Sequence, residues 1–262
     1  MNTVITHFYN EEYLLPWWIN HHKKLFDYGI LIDYNSTDRS YEICKELCPP
    51  HWKIVKSVNE DFEPIPLDKE VMVYEQSVEG FKIALTVTEF LITPVSLNAL
   101  NEYMTLNNLS CIKTWGVAMV DEFPNDLPTY DKSLIEQKHH GLISGYEIPN
   151  SSWGIDPYNT FYGRFYHNTP FLNYHSGRHN LKTGRWQNVY DVFTLKYKYS
   201  PWNPDTIKRV QQFAPMIPEG VASLHKKPES QHWVLYNIFK STAHDLKQNE
   251  QFLNAYNYCV NL

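Results

Sequence analysis

Short apolar runs alternate with helical patterns through the first fifth of the chain, and this alternation most constrains the fold. Residues 4–8 read as a strand. Residues 13–26 place Leu14, Trp17, Trp18, His21, His22 and Leu25 at helical spacing, and Gly29 is expected to close that helix. Residues 30–32 form a second apolar run. Ser40–Leu47 is a second helical pattern, stopped by Cys48-Pro49-Pro50, and residues 53–57 make a third strand. Strand, helix, strand, helix, strand predicts a parallel, doubly wound beginning with right-handed crossovers. The turn Asp33-Tyr34-Asn35-Ser36-Thr37-Asp38 then places a carboxylate at the C-terminal end of a buried strand, where open α/β sheets bind ligands. Asp33 is therefore a candidate to hold the base or ribose of a nucleotide.

Further along, the pattern predicts a helix over 68–78, a strand over 81–85 that runs into Thr86-Val87-Thr88-Glu89, and a helix over 96–107. A strand follows over Cys111–Val120, then a loop over 123–132. Residues 144–188 are dense in Gly, Asn, Tyr, Trp and His and read as irregular hairpins and loops over a cleft. A strand is expected over 191–199, a helix over 206–213 capped by Asp205, and helices over 230–240 and 249–258. With no repeat or flexible linker, the 262 residues are expected to form one α/β domain.

A net charge of −6 without a long basic run speaks against nucleic acid as the main partner. An anionic nucleotide would therefore need positive charge gathered locally. No 18-residue apolar run predicts a membrane span. A strand pattern that starts at Thr3 leaves no secretory leader in view, so a cytoplasmic location is expected. The four cysteines form no CxxC pair and are too few for a disulfide scaffold, which fits reduced thiols. Aromatic residues reach 15 %, and their flat apolar faces beside polar edges suit sugar rings.

Taken together, the motifs resemble family 2-type glycosyltransferases. Thr6-His7-Phe8-Tyr9-Asn10-Glu11-Glu12 is similar to their first strand and loop, and Ile32-Asp33-Tyr34-Asn35-Ser36-Thr37-Asp38 to their Val-Asp-Asp-Gly-Ser-Thr-Asp turn. Thr86-Val87-Thr88-Glu89-Phe90 falls where those enzymes carry Asp-x-Asp-Glu-Phe. Weaker likeness continues in Leu195-Lys196-Tyr197, Ser200-Pro201, Ile217-Pro218-Glu219 and Gln231-His232. The resemblance implies a GT-A-like (Rossmann-like) mixed central sheet flanked by helices. Residues 1–110 would be a nucleotide-sugar-binding half, and 111–262 an acceptor-binding half with the C-terminal helices. It implies inverting transfer of a sugar from a nucleotide diphosphate donor, UDP-linked by preference, to a hydroxyl of a carbohydrate acceptor. Phe8, Asn10 and Glu11 would border the nucleotide, Asp33 would contact uracil or ribose, and Asp38 would brace the turn. Thr86, Thr88 and Glu89 would lie by the diphosphate.

The departure from the family is as informative as the match. Two aspartates that engage Mn²⁺ or Mg²⁺ in the family are threonines here, and a neutral hydroxyl is a poor substitute for a carboxylate. Three outcomes are open. Glu89 could hold a metal with His232 or Asp121. Protein cations could replace the metal, with Lys82, Arg164, Arg178, His179, Arg185, Lys196 and Lys198 as candidates. Or the chain could bind without catalysing. Arg178 and His179, beside Gly177 in a donor-rich turn, are the favoured diphosphate contacts, and Gly177 argues against a helical zinc pair of His175 and His179. Inverting transfer needs a general base, for which Glu122 and Asp121 at a strand end come first and Glu147 second. Asp68, Glu70 and Glu75 read as a largely solvated helix face, and His21-His22-Lys23-Lys24 as a surface charge cluster. A nucleotidyltransferase ranks low because residues 7–12 lack a glycine-rich phosphate loop. A noncatalytic nucleotide- or carbohydrate-binding relative is the other alternative.

Overall fold

The computed structural model describes residues 1–60, 64–143, 163–217, 219–220 and 223–262. Among these residues ten strands and eight α-helices are found, beginning with β1 Asn2–Phe8, α1 Leu15–His22, β2 Tyr28–Asp33, α2 Ser40–Leu47, β3 Lys53–Lys56, α3 Pro64–Gln76, β4 Phe81–Thr86 and β5 Glu89–Ile92. They continue with α4 Leu97–Leu106, β6 Cys111–Val120, α5 Leu134–Gln137, β7 His140–Ile143, β8 Phe165–His167 and β9 Gln187–Tyr199. The chain ends with α6 Pro204–Gln211, α7 Glu229–Lys240, β10 His244–Asp245 and α8 Glu250–Val260. No helix among the described residues is long and apolar enough to cross a membrane.

The fold class is the expected one, a mixed α/β sheet flanked by helices. All ten strands join one sheet, in which β3-β2-β1-β4 pair in parallel and β8 pairs antiparallel to both β4 and β6. The pleat divides the core. Val4, Leu31, Ile83 and Leu85 face a cluster with Trp18 of α1 and Ile43 of α2, while Ile5, Ile30, Ile32 and Ala84 face Val71 of α3. A smaller cluster packs Leu235, Tyr236 and Phe239 of α7 on Ala118, Val120 and Leu142.

Several expectations are corrected. Gly29 does not end α1; it lies inside β2, where a Cβ would stand 2.2 Å from the buried indole of Trp52. Gly29→Ala is therefore expected to cost about 1–3 kcal/mol by overpacking. A urea-unfolding midpoint equal to wild type would contradict that. His21 and His22 are not a surface cluster. Both are buried: His21 Nε2 donates to the Leu91 carbonyl at 2.7 Å, and His22 Nε2 accepts from the Leu91 amide at 3.3 Å. Burial brings His21 down to about 4, so it is neutral and works as a hydrogen-bonding core residue. Asn203, not Asp205, caps α6, accepting from the Thr206 amide. Asp68, Glu70 and Glu75 are buried rather than solvated: residues 167–178 bond to Asp68 and Glu75, and Ser57, Val58 and Asn59 after β3 bond to Glu70. Glu75 accepts from the Tyr174 hydroxyl at 2.6 Å and faces His167 Nε2 at 3.2 Å.

The loops at the tips of β1 and β2 are stitched together. Asn10 and Asn35 adopt left-handed backbone, which asparagine tolerates better than most residues. Asn10 Oδ1 accepts from the Thr37 amide at 2.7 Å and from the Asp38 amide at 3.3 Å. Glu11 N donates to Ser40 Oγ at 2.7 Å, and Glu12 N to Asp38 Oδ2 at 3.1 Å.

Candidate functional site

These loops and the end of β4 frame a cavity of about 290 Å³ at the C-terminal tips of β1 and β4. His7, Phe8, Tyr9 and Glu11 line one side, and Thr86, Val87 and Thr88 the floor. His179, Lys196, Lys198, Arg209, Phe213 and His225 arrive from later segments. The strand ends hold it open, as expected where a parallel sheet meets solvent. α6 closes it from above: Arg209 Nη1 donates to both Glu11 oxygens at 3.0 and 3.1 Å, and Gln212 Nε2 to the Tyr9 and Asn10 carbonyls.

The chemistry of the floor follows from how β5 pairs. β4 ends at Thr86, Val87-Thr88 turn, and β5 pairs antiparallel with β9, so that Glu89 lies opposite Lys196. The Glu89 carboxylate is fully buried. It accepts from Arg164 Nε at 2.8 Å, Arg164 Nη2 at 2.7 Å, Lys196 Nζ at 2.9 Å and the Thr86 amide at 2.8 Å. Burial alone would push this carboxyl up; the charges of Arg164 and Lys196 outweigh burial and hold it well below the usual range. Lys196 Nζ also donates to Thr86 Oγ1 at 2.9 Å, and the Thr86 and Thr88 hydroxyls are 2.9 Å apart.

A divalent cation does not suit this donor set. Two hydroxyls stand where hard anionic oxygens are needed, and the nearby carboxylate is filled by a guanidinium and an ammonium. A metal at Glu89 would face both charges at close range. The ammonium of Lys196 instead presents a cation to the cavity.

The imidazoles around it are neutral. Burial, then Arg178 and Arg164, brings His7 well below its ordinary value, and burial and Arg164 do the same for His179. His225 is lowered chiefly by burial and meets the Val210 carbonyl through Nδ1 at 2.6 Å. Burial raises Glu11, opposed by Arg209.

Of the residues named from sequence, Phe8, Glu11, Thr86, Thr88, His179, Lys196 and Lys198 line this cavity. Asn10 and Asp38 line a second, wider groove beside it, which shares Arg209. Asp33 lines neither: Oδ1 accepts from the Ser36 amide at 2.9 Å, and Oδ2 pairs with Lys56 at 2.8 Å. Arg178 stands behind the cavity, bonded to Asp68 Oδ1 at 2.6 Å and near His7 Nδ1 at 3.4 Å. Asp121 is buried away from it, accepting from the Ser200 hydroxyl and from the Trp202 amide at 2.7 Å, with Lys138 at 3.4 Å. Glu122 is exposed and does not line the cavity, and Glu147 lies outside the described residues. His232 is buried on α7; the late histidine that faces the cavity is His225. Lys82 is spent on the carbonyls of Glu75 and Val78. Sequence reasoning did not single out His7 as a side chain, nor Arg209, which sits mid-helix with no local motif.

No family model matches the chain, and no curated protein matches it. Among solved structures, glucosyl-3-phosphoglycerate synthase from Mycobacterium tuberculosis in complex with phosphoglyceric acid is similar at 16 % identity and a TM-score of 0.33. That match covers 44 % of each chain, less than half the length of that synthase. A UDP-glucose pyrophosphorylase complexed with UDP-glucose is similar at 7 % identity over 64 % of this chain and 75 % of the other, with a TM-score of 0.33. The UDP-glucose pyrophosphorylase from Acinetobacter baumanii is similar at 11 % identity over 89 % and 98 %, with a TM-score of 0.39. Similarities of this size do not assign the chain to either class.

Proposed function

We propose that the chain is a GT-A-like glycosyltransferase that moves a sugar from a nucleoside diphosphate sugar to a carbohydrate hydroxyl, with protein cations in place of a divalent metal. The observation that carries this reading is Lys196, whose Nζ lies 2.9 Å from both Glu89 Oε1 and Thr86 Oγ1 at the tip of β4. It supplies an amine, lowered by burial and supported as a cation by Glu89, at the motif where the resembled enzymes use a metal. Lys198 and Arg209 extend the positive lining, and such donors stabilise a departing diphosphate. Phe8, Tyr9 and Phe213 add flat apolar surface for a base or sugar ring. Asn10, Asp33 and Asp38 act by shaping the tip loops. The proton of the acceptor hydroxyl would go to a group on the cavity wall: Glu11 once Arg209 turns to the phosphates, or a neutral imidazole such as His7.

A noncatalytic nucleotide-sugar-binding role is the second reading. It is favoured by the commitment of Asp121 to Ser200, Trp202 and Lys138, and Glu122 is not among the residues that line the cavity.

The test is a panel of nucleotide sugars, beginning with UDP-linked ones, assayed with mixed sugar acceptors for released nucleoside diphosphate in EDTA and in Mn²⁺. Equal release in both is expected. Release that requires Mn²⁺ contradicts the metal-free mechanism, and tight binding without release supports the second reading.

A further inference from the structure

We infer that the cavity is a proton-coupled anion site, in which the Lys198 amine takes up one proton as the diphosphate of the donor enters. This rests on the nucleotide-sugar reading above and adds a linkage to it. Lys196 and Lys198 are two apart on β9, and both line the cavity. Their surroundings differ. Lys196 is matched by Glu89, whereas Lys198 Nζ sits 5.5 Å from the Tyr199 ring with the Lys196 charge nearby.

Among the described residues, the groups facing Lys198 from other elements leave little negative charge for it. Of the carboxylates, Glu11 in the β1–α1 loop is taken by Arg209 of α6, and Glu89 of β5 by Arg164 and Lys196. His7 of β1, His179, His225 and His232 of α7 are all neutral through burial. Arg178 behind His7 is itself paired with Asp68, so that carboxylate too is taken. A second ammonium beside Lys196 is therefore uncompensated until an anion arrives. Enclosure first, and the Lys196 charge second, bring the Lys198 amine down to about 7. A bound diphosphate reverses the balance. The lone pair of Nζ then takes a proton from solvent, no covalent bond breaks, and the resulting ammonium faces phosphate oxygens.

The sign of the pH dependence follows. Below about pH 7 the amine is already charged, and binding needs no proton. Between about pH 7.5 and 9 each complex takes up one, so UDP affinity falls by up to about tenfold per pH unit. The UDP phosphates and the cavity imidazoles do not titrate there.

The experiment is calorimetric titration of UDP into the full chain, with EDTA, at about pH 8 in buffers of differing ionisation enthalpy. Wild type is expected to take up about one proton per UDP. Lys198→Arg, whose guanidinium stays charged throughout, is expected to bind UDP with no uptake and with affinity flat across this pH range. Lys198→Met is expected to lose about tenfold or more in affinity. Should the methionine variant fail to fold, the arginine variant still decides. Wild-type binding without proton uptake, or unchanged uptake in Lys198→Arg, overturns the inference while leaving the nucleotide-sugar reading standing. A wild-type protein that does not bind UDP overturns the UDP assignment itself and the inference with it.

Discussion

Replacing Glu89 with alanine is expected to destabilise the fold by about 3–5 kcal/mol, the usual result of stripping a buried ion pair of one partner. The side chain of Glu89 is fully buried and that of Arg164 keeps only 3 % of its exposure, so the guanidinium cannot turn to water without repacking. The same substitution also deprives the Thr86 amide of its acceptor. Urea unfolding followed by tryptophan fluorescence measures it, and a loss below about 1 kcal/mol would show that the cations find other partners. Its pH dependence has a definite sign. Glu89 is held below its ordinary carboxylate value in the folded state, so its contribution is complete above about pH 4.5 and fades as pH falls toward the folded-state value. The gap between wild type and Glu89→Gln should therefore narrow on acidification below that point. A gap that widens there would contradict the assigned ion pair.

Lys196→Met is expected to act on binding instead. Arg164 still grips both Glu89 oxygens in that variant, so the fold is expected to survive, while the cavity loses its fixed ammonium. Removing a hydrogen bond to a charged group costs about 1.5–3 kcal/mol, or roughly ten- to a hundredfold in UDP affinity. Adding Mn²⁺ to wild type is expected to change affinity little, because Lys196 and Arg164 already occupy the carboxylate a metal would need. Unchanged UDP binding by Lys196→Met would place the diphosphate elsewhere.

Much of the fold is legible in the sequence because buried parallel strands are written as apolar runs. The second helix and β6 have the predicted bounds, since Pro49-Pro50 and the Cys111–Val120 run leave little freedom. What fails is informative in each case. Gly29 looks like a helix stop, yet its missing side chain makes room for Trp52 just before β3, a contact that no local pattern encodes. His21 and His22 look solvated because their type is polar. Their partner is the backbone of Leu91, seventy residues away in β5. Asp68 and Glu75 of α3 look like part of a free helix face until residues 167–178 are laid across them, and Glu70 until the loop after β3 bonds to it.

The candidate site divides the same way. The strand-tip loops are marked in the sequence by their motifs, and in the fold Asn10 of one bonds to Ser36, Thr37 and Asp38 of the other. The electrostatics could not. Whether Glu89 faces in or out depends on the antiparallel pairing of β5 with β9, and the cations it meets come from positions 164 and 196. The threonines that replace the expected aspartates are coherent only with that pairing in view: a pair of carboxylates beside Glu89 would compete for Lys196, whereas Thr86 accepts its hydrogen bond and leaves its charge available.

The most direct measurement is a crystal structure of the protein grown with UDP and Mn²⁺ together, with diffraction collected to locate manganese by its anomalous signal. The expected result is a diphosphate within hydrogen-bond reach of Lys196 and Arg209 between the tips of β1 and β4, with no manganese at Thr86, Thr88 or Glu89. Manganese bound at those residues, or a diphosphate held away from Lys196, would contradict the replacement of the metal by protein cations.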